Sequence, residues 1–172
     1  YDYTKNTSKI IDVGFVNAPV FTFLRYDANN MIIGSFGGGA IVLNLKTLTP
    51  DPTYGKILSN FDINKVKKNG GDLWFATETG LVKYNFIKKT IKQYGYHSNN
   101  KYGLPDDNVS DVFIDQQKNI WAATRKGLSV YSYQKDNFEL VLEPKELKGK
   151  WITDLASDKD GILWLNMNNN SI

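Results

Sequence analysis

Few side chains in this 172-residue sequence are of types that do chemistry, and their spacing limits what they can do. His97 is the single histidine, and cysteine is absent. Thiolate nucleophiles, disulfides and thiolate zinc sites are therefore excluded, and imidazole catalysis has no second histidine to work with. Asp106 and Asp107 could form an acid/base pair. They are adjacent on a turn led by Pro105, so their side chains diverge and a solvated cap is expected. Gly37-Gly38-Gly39 could cradle a phosphate, but no Lys-Ser/Thr follows and no helix starts there, so a turn is expected. Asp158-Lys159-Asp160-Gly161 resembles the start of a calcium loop. Ile162 fills its fifth position and the terminal bidentate Glu is missing, so a hairpin turn is expected and no metal. Trp74, Trp121 and Trp164 could stack on sugars, but their periodic placement points to core. No catalytic residue and no cofactor is expected.

The elements that carry these residues read as all-β. Eighteen Asn, fourteen Gly and fourteen Asp supply turns, and aromatic residues make up 13%. Helical periodicity nowhere extends beyond about ten residues. With 41% hydrophobic and 23% charged residues, the chain can bury a core as one domain and is not disordered. No apolar run approaches the ~20 residues of a membrane span, and no membrane contact is expected. No signal peptide is visible, and an opening on Tyr1 is expected of a processed or excised piece. The net charge is +3, but two arginines are too few for base reading or phosphate clamping, so nucleic acid is not an expected partner.

Repeats organise the chain. Asp72-Leu-Trp-Phe-Ala-Thr-Glu-Thr-Gly-Leu-Val-Lys-Tyr-Asn85 and Asn119-Ile-Trp-Ala-Ala-Thr-Arg-Lys-Gly-Leu-Ser-Val-Tyr-Ser132 share Trp, Thr, Gly, Leu and Tyr at identical offsets. A third copy, Met31–Asn44, places Ile33 at the Trp position and Leu43 at the Tyr position. A fourth begins at Ile162-Leu-Trp164. The anchors Ile33, Trp74, Trp121 and Trp164 are 41, 47 and 43 residues apart. Asp27, Asp115 and Asp158 stand six residues before their anchors, with Lys68 in that place in the second copy. An earlier apolar step recurs as Phe21/Leu24, Ile63/Val66, Val109/Val112 and Ile152/Leu155. Each unit reads as four short antiparallel strands, with Thr90–Tyr94 and Phe138–Leu142 as fourth strands. Four strands in ~43 residues make one blade of a β-propeller. Gly39, Gly80 and Gly127 are expected to supply a positive φ.

Gly103-Leu-Pro-Asp-Asp-Asn-Val-Ser-Asp-Val-Phe-Ile-Asp-Gln-Gln-Lys-Asn-Ile-Trp-Ala-Ala-Thr-Arg-Lys-Gly-Leu-Ser-Val-Tyr131 resembles the two-component regulator propeller repeat, and Trp151–Trp164 is similar to it. Ile33 for Trp, Lys68 for Asp and Asn170 for Gly depart from that pattern. The resemblance implies an extracytoplasmic, periplasmic sensor segment of a Bacteroidetes hybrid two-component system. There, such repeats build seven-bladed propellers that sense oligosaccharides, and catalysis lies in a histidine kinase elsewhere in the protein.

The expected organisation is a partial blade over 1–15, blades over 16–56, 57–102 and 103–148, and a partial blade over 149–172. The chain is then either a segment of a larger ring or a small ring in which Tyr1–Asp12 completes the last blade. An open segment would expose a blade face and favour self-association or packing on further blades. In a propeller the fourth-to-first connections and second-to-third turns share one face. That face would carry Tyr96, His97 and Tyr102 from the long connection Gly95–Asn108, Arg125 and Lys126 from a short turn, and Trp151 beside Lys148 and Lys150. Aromatic plates with cationic and amide donors suit an oligosaccharide, particularly an acidic one, although ordinary loop residues would look the same. A structural or dimerising scaffold and a propeller lyase are the competing functions, the lyase disfavoured by the single histidine.

Overall fold

The computed structural model describes residues 4, 6–15, 18–96 and 102–168. The chain forms four antiparallel sheets in series. The first contains β1 (Val20–Arg25), β2 (Asn30–Ser35) and β3 (Gly39–Asn44), with β4 (Thr49–Pro50) and β5 (Lys56–Ile57) both paired to β3. The second contains β6 (Ile63–Asn69), β7 (Asp72–Thr77), β8 (Gly80–Asn85) and β9 (Thr90–Tyr94). The third contains β10 (Val109–Ile114), β11 (Ile120–Thr124), β12 (Gly127–Ser132) and β13 (Asn137–Leu142). A short helix, α1 (Pro144–Leu147), leads to β14 (Ile152–Ser157) and β15 (Leu163–Met167), the pair that makes the fourth sheet. Four sheets of short antiparallel strands are the all-β, blade-like architecture expected. Their first strands, β1, β6, β10 and β14, pack side by side in that order and form the inner arc.

Core residues lie between blades. The face of the second blade that carries Trp74 and Ala76 packs on Val109, Val112, Ile120 and Ala122 of the third. Trp121 and Ala123 of the third pack on Ile152, Leu155, Leu163 and Leu165 of the fourth. Trp74 is sealed by rings from both blades, with Tyr94, Tyr131 and Phe138 at 5.8, 5.0 and 6.3 Å. This is the layered logic of the fold: each Trp is a plate that only the next blade can cover.

The register of the first blade differs from expectation. Phe23 pairs with Ile33 as Val66 pairs with Phe75, and Leu24 pairs with Ile32 as Lys67 pairs with Trp74. Ile32, not Ile33, therefore holds the Trp position, and Val20/Phe23 replaces Phe21/Leu24 as the inner-strand step. The cause is the turn Phe36-Gly37-Gly38 between Ser35 and Gly39. It is one residue longer than Glu78-Thr79 or Arg125-Lys126, and so moves β2 by one.

The glycines that open the third strands also need a corrected account. Gly39 and Gly80 have φ of 74° and 121°, but Gly127 lies outside the positive region. What the three share is contact: a Cβ on any of them would clash with a carbonyl at the end of its own blade's outer strand, from Leu58, Tyr94 or Leu142. Glycine is required there because the fourth strand passes over the turn.

Residues Ile11, Val13 and Phe15 pack on Ile33, Ile41 and Leu43, the face of the first blade opposite to Ile32. They thus cover the first blade rather than extending the last. Among the described residues no strand pairs with the outer edge of β15, and no ring closes.

Candidate functional site

Each inner strand carries a β-bulge at the same place. The register breaks between Val20 and Thr22, Ile63 and Lys65, Val109 and Asp111, and Ile152 and Asp154. The bulged residues are Phe21, Asn64, Ser110 and Thr153. A bulge re-aims its extra side chain out of the sheet, and all four come to one groove of 340 Å³ at the mouth of the inner arc. Glu78, Asn108, Arg125 and Trp151 complete its lining.

Local sequence explains how these four are held. Thr77 and Thr124 close their two-residue turns by donating to Gly80 O at 2.7 Å and Gly127 O at 3.0 Å. Glu78 and Arg125 are consequently the same position in adjacent blades, each the first residue of a second-to-third turn. Asn64 Nδ2 donates to Glu78 Oε1 at 3.1 Å, and Asn108 Nδ2 donates to Glu78 Oε2. The Arg125 guanidinium is 3.9 Å from Glu78 and 5.9 Å from the Trp151 ring centroid. Trp151 donates its backbone N–H to Asn168 Oδ1 at 2.8 Å and accepts Asn168 N–H at 3.1 Å. Upstream, α1 is fixed by Glu146, which accepts the Glu143 N–H at 2.6 Å, and by buried Leu147. Its C-cap Lys148 is left-handed and turns the chain toward Trp151.

Beneath the groove lies a polar collar. Lys65 Nζ reaches across the arc to Asp154 Oδ1 at 3.0 Å. Asp111 Oδ2 accepts Leu155 N–H at 2.7 Å. Burial, then a hydrogen bond to Asp154, pushes the Asp111 carboxyl up to about 7, against the pull of Lys65. Burial also acts to raise Asp154, but hydrogen bonds from Asp111 and Lys65 outweigh it and hold that carboxyl below its ordinary value.

The expected site residues divide. Arg125 and Trp151 meet in the groove. Lys126 is beside it, bonded to Asp106 at 3.0 Å and 5.7 Å from the Tyr96 ring. Tyr96 is half exposed, with its N–H donated to Asp107 Oδ1 at 2.7 Å. Tyr102 is not with them. It lies in a separate groove of 610 Å³ along the outer edge, beside Lys135 at 4.1 Å and among Glu139, Glu143, Lys145 and Glu146. Its displacement follows from Gly103 N–H, which bonds Phe138 O at 2.9 Å and pins this stretch to the third blade's outer strand. His97 falls outside the described residues. Phe21, Asn64, Glu78, Asn108, Ser110 and Thr153 line the groove without being expected there. Glu78 was findable, since its repeat position is that of Arg125; the bulges have no side-chain signature.

Residues 103–126 match the two component regulator propeller family. Histidine kinase P4 of Formosa agariphila is 30% identical over 105 residues, which is 57% of this chain and 8% of that protein. The extracellular domain of the one component system BT4673 from B. thetaiotaomicron superposes with a TM-score of 0.73 at 18% identity, over 86% of this chain and 20% of that one. The extracellular domain of the hybrid two component system BT3049 from B. thetaiotaomicron gives 0.66 at 16% identity, over 85% of this chain and 22% of that one. The chain thus spans less than a quarter of each relative, and the solved structures show the fold: propeller blades.

Proposed function

We propose that this chain is a propeller segment of the sensor region of a hybrid two-component regulator, that it lies outside the cytoplasm, and that it recognises an oligosaccharide without catalysing a reaction. The groove at the mouth of the inner arc carries the reading. Trp151 offers a flat apolar plate to the face of a sugar ring. Glu78, Asn108 and Arg125 offer acceptors and donors for hydroxyl or carboxyl groups, set by neighbouring blades. The propeller match at 103–126 and the histidine kinase relative support the regulator context. In that context phosphotransfer belongs to another part of the protein, and the groove's task is to bind.

A thermal-shift screen of the intact sensor region against neutral and acidic oligosaccharides tests this. Binding to the folded state stabilises by mass action, about 2.7 kcal/mol at a hundredfold excess over Kd. The expected result is a reproducible rise in melting temperature with one glycan class. No rise with any glycan would overturn the reading.

One observation favours a scaffold instead. Phe23 and Trp164, on the outer faces of the first and last blades, are 72% and 60% exposed. Association through those faces, with no response to any glycan, is what that reading predicts.

A further inference from the structure

We propose that Phe21 is a second stacking wall of the groove and contacts a pyranose ring at the end opposite to Trp151; this rests on the oligosaccharide reading above. In the second and third blades the bulge position has a structural duty. Asn64 Nδ2 donates to Val109 O at 2.9 Å, and Ser110 Oγ donates to Ile152 O at 2.5 Å. In each case the bulged side chain staples its inner strand to the first residue of the next one. Those strands share no backbone ladder, so these bonds and Thr22 Oγ1, which accepts Val66 N–H at 3.3 Å, tie them together.

Phe21 stands at the same position and can make no such bond. It is not core either. The residue is 55% exposed and its ring lies 5.6 Å from that of Phe36, the counterpart of Glu78 and Arg125 in the first blade's turn. The inner arc runs β1, β6, β10, β14, so Phe21 and Trp151 stand at its two ends. Between them lie Asn64, Glu78, Asn108, Ser110, Arg125 and Thr153. An aromatic wall at each end of a floor of amide, hydroxyl and charged groups matches a chain of sugar rings. Such rings have apolar faces and hydroxylated rims.

The test is calorimetric titration of the intact sensor region with maltohexaose, mannohexaose, xylohexaose and hexagalacturonate. For the saccharide that binds, Phe21→Ala and Trp151→Ala each weaken affinity about 10-fold, through loss of an aromatic face. Phe21→Leu keeps the apolar volume, removes the flat face, and loses affinity similarly, so a folding defect in the alanine variant does not decide the result. Phe23→Ala, on the outer face of the first blade, binds like the parent. Loss in Trp151→Ala with full affinity in Phe21→Ala and Phe21→Leu would overturn this inference and leave the oligosaccharide reading standing. No binding by the parent protein to any of the four would overturn both.

Discussion

Trp74, Trp121 and Trp164 occupy one repeat position with three degrees of cover, and their fates follow from what lies next to them. Trp74 is 1% exposed between two complete blades, whereas Trp164 is 60% exposed. Trp74→Ala is therefore expected to cost about 3–5 kcal/mol, and Trp164→Ala below about 1 kcal/mol, in urea denaturation. Equal costs would contradict the blade-on-blade account. Their N–H groups differ too. Trp121 Nε1 donates to Asp115 Oδ2 and Trp164 Nε1 to Asp158 Oδ2, both at 2.9 Å. Trp74 Nε1 is buried without a partner among the described residues, because Lys68 replaces the aspartate and the turn is shorter. The Trp, Gly and Tyr offsets were legible because each is a large or a steric requirement. The one-residue displacement at Ile32 was not, since an extra turn residue hides behind Gly37-Gly38-Gly39.

At the scale of elements, turns and inner strands determine what the blades can display. Lys118 holds the left-handed place, at φ 68°, that Gly161 holds in the next blade at φ 83°. Lys118→Gly is expected to stabilise the fold by about 1 kcal/mol, read as a higher denaturation midpoint. The collar gives a pH prediction. Asp111 keeps its proton up to about pH 7 in the folded state against an ordinary value of 3.8. The folded state binds that proton more tightly. This contribution to stability is thus complete below about pH 4 and is lost as pH rises through 7. Lys65 and Asp154 are the charged groups that face it. Asp111→Asn keeps an acceptor for Leu155 N–H and does not titrate. The melting temperature of the parent, relative to this variant, should fall between pH 4 and 7; parallel profiles would contradict the raised Asp111 carboxyl. The bulges behind this collar were illegible because Phe, Asn, Ser and Thr have nothing in common except their backbone position.

For the whole molecule, the arc leaves apolar surface at both ends, with Phe23 at one and Ile162 and Trp164 at the other. Studied alone, the chain is expected to self-associate, and Phe23→Lys with Trp164→Lys should return it to monomer by sedimentation; an unchanged assembly would place the contact elsewhere. The all-β, four-blade organisation was readable from repeat spacing, since a blade is the smallest unit that this spacing can fold into. The grouping of site residues was readable only in part. The shared face of connections and turns carried both Arg125 and Trp151, which line one groove, while Tyr102 was drawn outward by a backbone bond that no residue type announces. The oligosaccharide proposal places a glycan at the mouth of the arc. Its most direct measurement is a crystal structure of the intact sensor region with the oligosaccharide that stabilises it. The account predicts a sugar ring stacked on Trp151, with hydroxyl groups bonded to Glu78 and Asn108. A sugar bound away from this groove, with Trp151 uncovered, would contradict it.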